Sequence, residues 1–217
     1  MIEPDRDRLQ FIQDRFYQDA QLHSHLAFDP NSAYARDVAE HLRAALRLSS
    51  ADVLLEIGAG AGRFSLHLVD RCARLIALDA SQALLEALRV HRPNDPKLEY
   101  AHTDVFELAR WRGERTFDAI GGVFILHHLP RHAELFRLLH AALKPGGRVS
   151  FIEPNRLNPS FLLQIAISPE MEWEAEKGVF TFSSRTTTRL LRQTGFANVS
   201  CTRFGFCPPQ VLDRMPR

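Results

Sequence analysis

The chain has 217 residues, 45% of them hydrophobic and 24% charged, with a formal net charge of +1. That length and balance describe one globular domain with a sizeable core and exclude a disordered or fibrous chain. A charge so close to zero gives no field to steer a polyanion, and without a long Lys/Arg run nucleic acid is not an expected partner.

The segment Met1 to Arg8 is too charged for a secretory signal, and no apolar stretch reaches membrane-spanning length. A cytoplasmic protein without integral membrane association is expected. Cys72, Cys201 and Cys207 share no metal-ligand or disulfide spacing, as thiols of a reducing compartment do. Leu9, Ile12, Phe16 and Leu22 recur at helical spacing over residues 5–25. Phe28-Asp29-Pro30-Asn31-Ser32 is a turn with capping residues, and a helix is expected from about Ala33 to Leu46.

The apolar run from Val53 to Ile57 reads as a buried strand meeting three alternate glycines, Gly58, Gly60 and Gly62, with an amphipathic helix opening at Arg63. Glycines there permit positive φ and let a ligand lie on bare main chain, while the helix start aims N–H groups at it. A dinucleotide fingerprint, G-x-G-x-x-G, needs glycine at 63, where Arg63 stands. The pattern present is E-x-G-x-G-x-G, beginning at Glu56.

Leu75 to Asp79 is a second buried run ending in an acid, and Ala80-Ser81 starts the next helix, through Leu84, Leu85 and Leu88. A carboxylate at this strand end, about twenty residues past the glycine turn, suits the hydroxyls of a ribose; a helix cap is the plainer reading. The third strand, Leu98 to His102, leads into Thr103-Asp104-Val105-Phe106. The fourth starts at Phe117 and runs into Phe124-Ile125-Leu126-His127-His128-Leu129. A helix from Ala133 to Leu143 closes on Lys144-Pro145-Gly146-Gly147-Arg148, and Val149 to Pro154 is a fifth strand.

Residues 155–182 lack regular patterning. A helix from Thr186 to Thr194 stops at Gly195, and a sixth strand is expected at about Val199 to Phe204. The tail, Cys207 to Arg214, is too short and Pro-rich for a convincing seventh strand, so either it is abbreviated or the chain continues beyond Arg217.

The ordered set E-x-G-x-G-x-G, Asp79, Asp104, the strand running into H-H-L, and L-K-P-G-G-R before a further strand resembles the class I S-adenosylmethionine-dependent methyltransferases, strongly over residues 50–154 and loosely in the flanks. The resemblance implies an α/β, doubly wound, Rossmann-like, mostly parallel sheet of six to seven strands with helices on both faces. It makes residues 1–217 a single domain: lid helices (1–48), a cofactor-binding core (49–154), an acceptor lid (155–182) and the C-terminal part of the sheet (183–217). S-adenosyl-L-methionine is the implied cofactor and S-adenosyl-L-homocysteine its product.

Glu56, Gly58, Ala59, Gly60, Gly62, Asp79, Ala80 and Val123 would then line the cofactor. By the same resemblance Asp104 would accept from the adenine amino group, with Val105 or Phe106 packing on the base and Tyr17 and Tyr34 closing from the N-terminal helices; a turn acid and packing aromatics are the bland alternatives. A hydroxyl acceptor must lose a proton, and His127 and His128 stand where a methyl would point, one as candidate base and the other structural. Glu153, Asn155, Phe161 and Trp173 are candidate acceptor contacts. His132 with His23 and His25 invites a metal reading, but no carboxylate set at ligand spacing supports it, so no metal is expected.

The fourth strand does not lead into Asn/Asp-Pro-Pro-Tyr, and there is no Pro-Cys nucleophile. A small-molecule acceptor, methylated on oxygen, nitrogen or carbon in a biosynthetic pathway, is therefore expected. An inactive S-adenosylmethionine-binding regulator or partner subunit is the alternative, and an NAD-dependent oxidoreductase a weaker one. Oligomeric state stays open, a homodimer included.

Overall fold

A computed structural model describes residues 28–155, 157–158, 178–181 and 183–205 of the chain. Its sheet is built from the apolar runs: β1 (Val53–Ile57), β2 (Arg74–Asp79), β3 (Leu98–His102), β4 (Phe117–Val123) and β5 (Leu143–Ile152). All neighbours pair parallel in the order β3-β2-β1-β4-β5. Helices α1 (Ala33–Leu46), α2 (Ser65–Leu68), α3 (Gln82–His91), α4 (Leu108–Arg112), α5 (His132–Ala142), α6 (Gly178–Thr181) and α7 (Ser184–Gln193) accompany it.

Strand alternation sorts the core onto two faces. Leu54, Leu75, Ala77 and Ala119 pack with Val38 and Leu42 of α1 and Leu85 and Leu88 of α3. Leu55, Ile57, Ile76, Leu78 and Ile120 pack on the other face, with Leu108 of α4 and Leu135, Phe136 and Leu139 of α5. A sheet buried on both faces needs strands apolar at successive positions, as these are.

The first crossovers step from β1 outward to β3, and the chain then returns to place β4 on the other side of β1. This reversal opens a crevice at the carboxyl ends of β1 and β4, where ligands of open α/β sheets bind. The opposite edge is locked by charge. Lys144 Nζ donates to both oxygens of Asp118 at 2.9 and 2.8 Å, Asp118 also accepts from Val53 N–H at 2.8 Å, and Arg148 meets Asp52 at 2.8 Å.

Three expectations need correction. The helix after the glycine turn begins at Ser65, not Arg63, and passes into a 3₁₀ turn over Val69–Arg71; Ala73 N–H must already reach the Asp52 carbonyl, at 2.9 Å, to start β2. β5 starts at Leu143, with a register shift against β4 between Phe117 and Ala119 that accommodates Pro145, which has no N–H to give. The sheet has five strands among the described residues, not six to seven. Val199 to Phe204 is not a strand: Asn198 takes φ +48, residues 200–203 are exposed, and the Phe204 ring stacks on His41 of α1 at 3.9 Å. The seventh-strand region and the helix expected over 5–25 lie outside the described residues.

Candidate functional site

The glycine turn and the tip of β2 are tied together. Gly58 and Ala59 N–H donate to the Leu78 carbonyl at 2.8 and 3.2 Å. Gly60 N–H donates to Asp79 Oδ2 and Ser81 N–H to Oδ1, both at 2.8 Å. Each carboxylate oxygen has a second lone pair, so two hydroxyls can still be accepted. Burial raises the Asp79 pKa, opposed first by the Ser81 and Gly60 N–H bonds.

Gly60, at φ +54, has nothing within 4 Å of where a Cβ would stand, so its bare backbone faces open space. The corresponding positions at Gly58 and Gly62 are filled by Ile125 and Leu88. The turn therefore needs glycine twice for packing and once for an approach from outside.

Behind the turn, Glu56 on β1 is 2% exposed, and burial pushes its pKa up to about 7, relieved in part by the nearby Ser65 hydroxyl. Its Oε2 is buried with no hydrogen-bond partner. An acid so placed favours an arriving positive group.

At the tip of β4, Val123 is buried and Phe124 takes φ +56, a left-handed conformation costly for a bulky residue. Its N–H donates to the Ile152 carbonyl at 2.8 Å, and its ring meets Phe64 edge-on at 5.9 Å. Glu153, just past β5, faces inward. Its Oε1 accepts from Ile125 and Leu126 N–H at 3.0 and 2.8 Å, and its Oε2 from His127 Nδ1 at 2.6 Å.

The His127 side chain is 1% exposed. His128 is half-buried with its ring 3.9 Å from that of His127. Residues Leu126–His128 form a 3₁₀ turn against which α6 packs, so closely that a Cβ on Gly178 would collide with the His127 carbonyl oxygen.

On the other flank Asp104 Oδ1 accepts from Phe106 N–H at 2.8 Å, starting a 3₁₀ turn over Val105–Glu107. Val105 is buried, and the Arg131 guanidinium lies 4.0 Å from the centre of the half-buried Phe106 ring. His102, absent from the sequence candidates, donates from Nε2 to the Ala80 carbonyl at 3.0 Å. Tyr34 reaches the turn from α1, 5.3 Å below the Arg63 guanidinium.

Asn155 is exposed and accepts from Leu157 N–H at 3.1 Å within its own turn. His132 Nε2 donates to the Leu126 carbonyl at 2.8 Å. Tyr17, Phe161, Trp173, His23 and His25 lie outside the described residues.

The structure thus brings the glycine turn and Asp79, both read from the sequence, into one feature, with Asp104 on the other flank. The sequence reading missed the Glu153 clamp, the bend at Phe124 and the seat of Gly178, because no local pattern records a contact across 26 or 28 residues.

The profile of the methyltransferase domain matches residues 24–201. The chain belongs to this family, whose class I members use S-adenosylmethionine, in keeping with the resemblance read from the motifs. It is 32% identical to the trans-aconitate 2-methyltransferase of Methylobacterium radiotolerans over 64% of this chain and 53% of that protein. It is 31% identical to the ubiquinone biosynthesis O-methyltransferase of Azotobacter vinelandii over 59% of this chain and 53% of that protein. The matches therefore span about half the length of these curated relatives.

Among solved structures the fold is shared with a DhpI-SAM-HEP complex, with a TM-score of 0.58 and 23% identity over 76% of this chain and 75% of the other. It is also shared with the N-methyltransferase NodS of Bradyrhizobium japonicum, with a TM-score of 0.56 and 19% identity over 76% and 83%. No described helix is long and apolar enough to cross a membrane.

Proposed function

We propose that this chain transfers a methyl group from S-adenosylmethionine to a small-molecule acceptor, in an EC 2.1.1 type reaction. The observation that carries this reading is the cradle made by Gly60, Asp79 and Glu56 at the sheet's reversal point: open backbone, a carboxylate with spare lone pairs, and a buried orphan acid. S-adenosylmethionine, when bound, supplies an electrophilic methyl on a cationic sulfur. Asp79 would accept from the ribose hydroxyls, and Glu56 would stabilise the positive end behind the turn. Ala59, Ala80 and Val123 would line this cradle, while Gly62, packed against Leu88, would shape the turn from behind. Asp104, Val105 and Phe106 would receive the base.

In-line displacement asks the protein mainly to align a nucleophile and exclude water. An oxygen acceptor would have to pass its proton to a base of this chain. His128, half-buried at the crevice, suits that base better than the enclosed His127. The names of the two relatives support a small acceptor, and that of the second supports oxygen as the methylated atom.

Residues 1–48 and 155–182 would cover donor and acceptor within one cytoplasmic domain, with Tyr17 and Tyr34 toward the donor and Asn155, Phe161 and Trp173 toward the acceptor. Release of S-adenosylhomocysteine, followed over a panel of phenols, carboxylic acids and amines, tests this. Methylation of one or more panel members is expected; donor binding without turnover on any of them would favour the regulator reading instead.

A further inference from the structure

Glu153 spends one carboxylate on three donors. Oε1 takes the N–H groups of Ile125 and Leu126, and Oε2 takes His127 Nδ1. The two N–H groups belong to the residues just after Phe124, the bulky residue held at φ +56. A side chain in that region costs on the order of 1–2 kcal/mol and persists only where its surroundings over-determine it. Here the surroundings are the Ile152 carbonyl on one side of the bend and Glu153 on the other. The same carboxylate fixes the His127 ring: a carboxylate only accepts, so Nδ1 must carry the proton. His127 in turn lies against the His128 ring and beneath Gly178 of α6.

Resting on the methyl-transfer reading, we propose that Glu153 is a positioning residue rather than an acceptor contact. It presets the bend that carries Phe124 and the His127–His128 pair to the crevice, and it sets the His127 tautomer. The carboxylate is 10% exposed and directed inward, which leaves it badly placed to meet an incoming substrate.

Glu153→Gln separates the two duties. The amide oxygen can still accept from Ile125 and Leu126, while the amide nitrogen can only donate, so Nδ1 must become the acceptor and the ring proton must move to Nε2. Ring ¹⁵N shifts of His127 in protein saturated with S-adenosylhomocysteine read the tautomer directly. The expected result is Nδ1–H in the wild type and Nε2–H in Glu153→Gln. With the best acceptor of the panel, kcat should fall about 100-fold, because the ring that backs the base His128 at 3.9 Å and the bend that carries both are no longer held as in the wild type. The donor KM should stay within about twofold, since the cradle is untouched.

A tautomer that does not change, or one that changes while kcat holds within about threefold, overturns the proposal. A wild type that methylates no acceptor overturns the functional reading on which it rests, so the two failures are distinguishable. Should Glu153→Gln fold poorly, His127→Asn in the same assay decides. Asn presents a short amide to Glu153, and a kcat near the wild-type value would equally overturn the proposal.

Discussion

Gly60 and Asp79, nineteen residues apart, are joined by a 2.8 Å hydrogen bond from the glycine N–H to the carboxylate. The bond makes the turn after β1 and the tip of β2 one rigid feature, so the acid is set before any ligand arrives.

Replacing Asp79 by Asn sets an amide donor against Gly60 or Ser81 N–H and removes one acceptor. Affinity for S-adenosylhomocysteine should fall on the order of 30-fold or more, about 2 kcal/mol, as when a buried polar partner is lost. Calorimetric titration reads the loss, and urea unfolding should show that the fold survives.

Gly60→Ala and Gly62→Ala should part ways. A Cβ at 60 enters open space, so the fold loses only the roughly 1–2 kcal/mol of a side chain at positive φ, while donor binding drops at least about tenfold. A Cβ at 62 strikes Leu88 in the core and should cost about 3 kcal/mol of stability. Urea midpoints and titration of both variants separate the two roles.

Glu56 gives a pH signature. Its folded pKa of about 7 lies above the ordinary 4.5, so the folded state binds more protons in that interval and stability falls as pH rises through it. Glu56→Gln removes the penalty. The variant should match the wild type near pH 4.5 and exceed it by on the order of 3 kcal/mol at pH 8. It should also lose the proton release that donor binding causes near pH 6.5 in the wild type, read by calorimetry in buffers of different ionisation enthalpy.

The opposite edge of the sheet provides the control. Burial would raise the Asp118 pKa, but the Lys144 ammonium and Val53 N–H outweigh it and hold the carboxyl below its ordinary range. Its stabilising share is present above that ordinary range and is lost as pH falls through the folded value. Lys144 is 43% exposed, so Lys144→Met should cost about 1 kcal/mol or less at pH 7. S-adenosylhomocysteine affinity should be unchanged in the same titration.

The strands were legible because β1, β2 and β4 are buried on both faces, which leaves an unbroken apolar run in the sequence. The glycine turn and the acid at β2 were legible because their spacing is local. Val199 to Phe204 has strand-like residues too, but it joins no ladder of the sheet, and Phe204 instead stacks on His41 of α1. That choice of partner is tertiary and leaves no periodic trace. The same holds for Glu153, whose identity suggested a substrate contact while its bonds run back into the protein.

Titration of the full chain with S-adenosylmethionine, S-adenosylhomocysteine and NAD in parallel tests the central claim most directly. Saturable binding of the first two, abolished by Gly60→Val, with none for NAD, is the predicted result. NAD binding more tightly than either, or S-adenosylmethionine binding that ignores the change at Gly60, would contradict it.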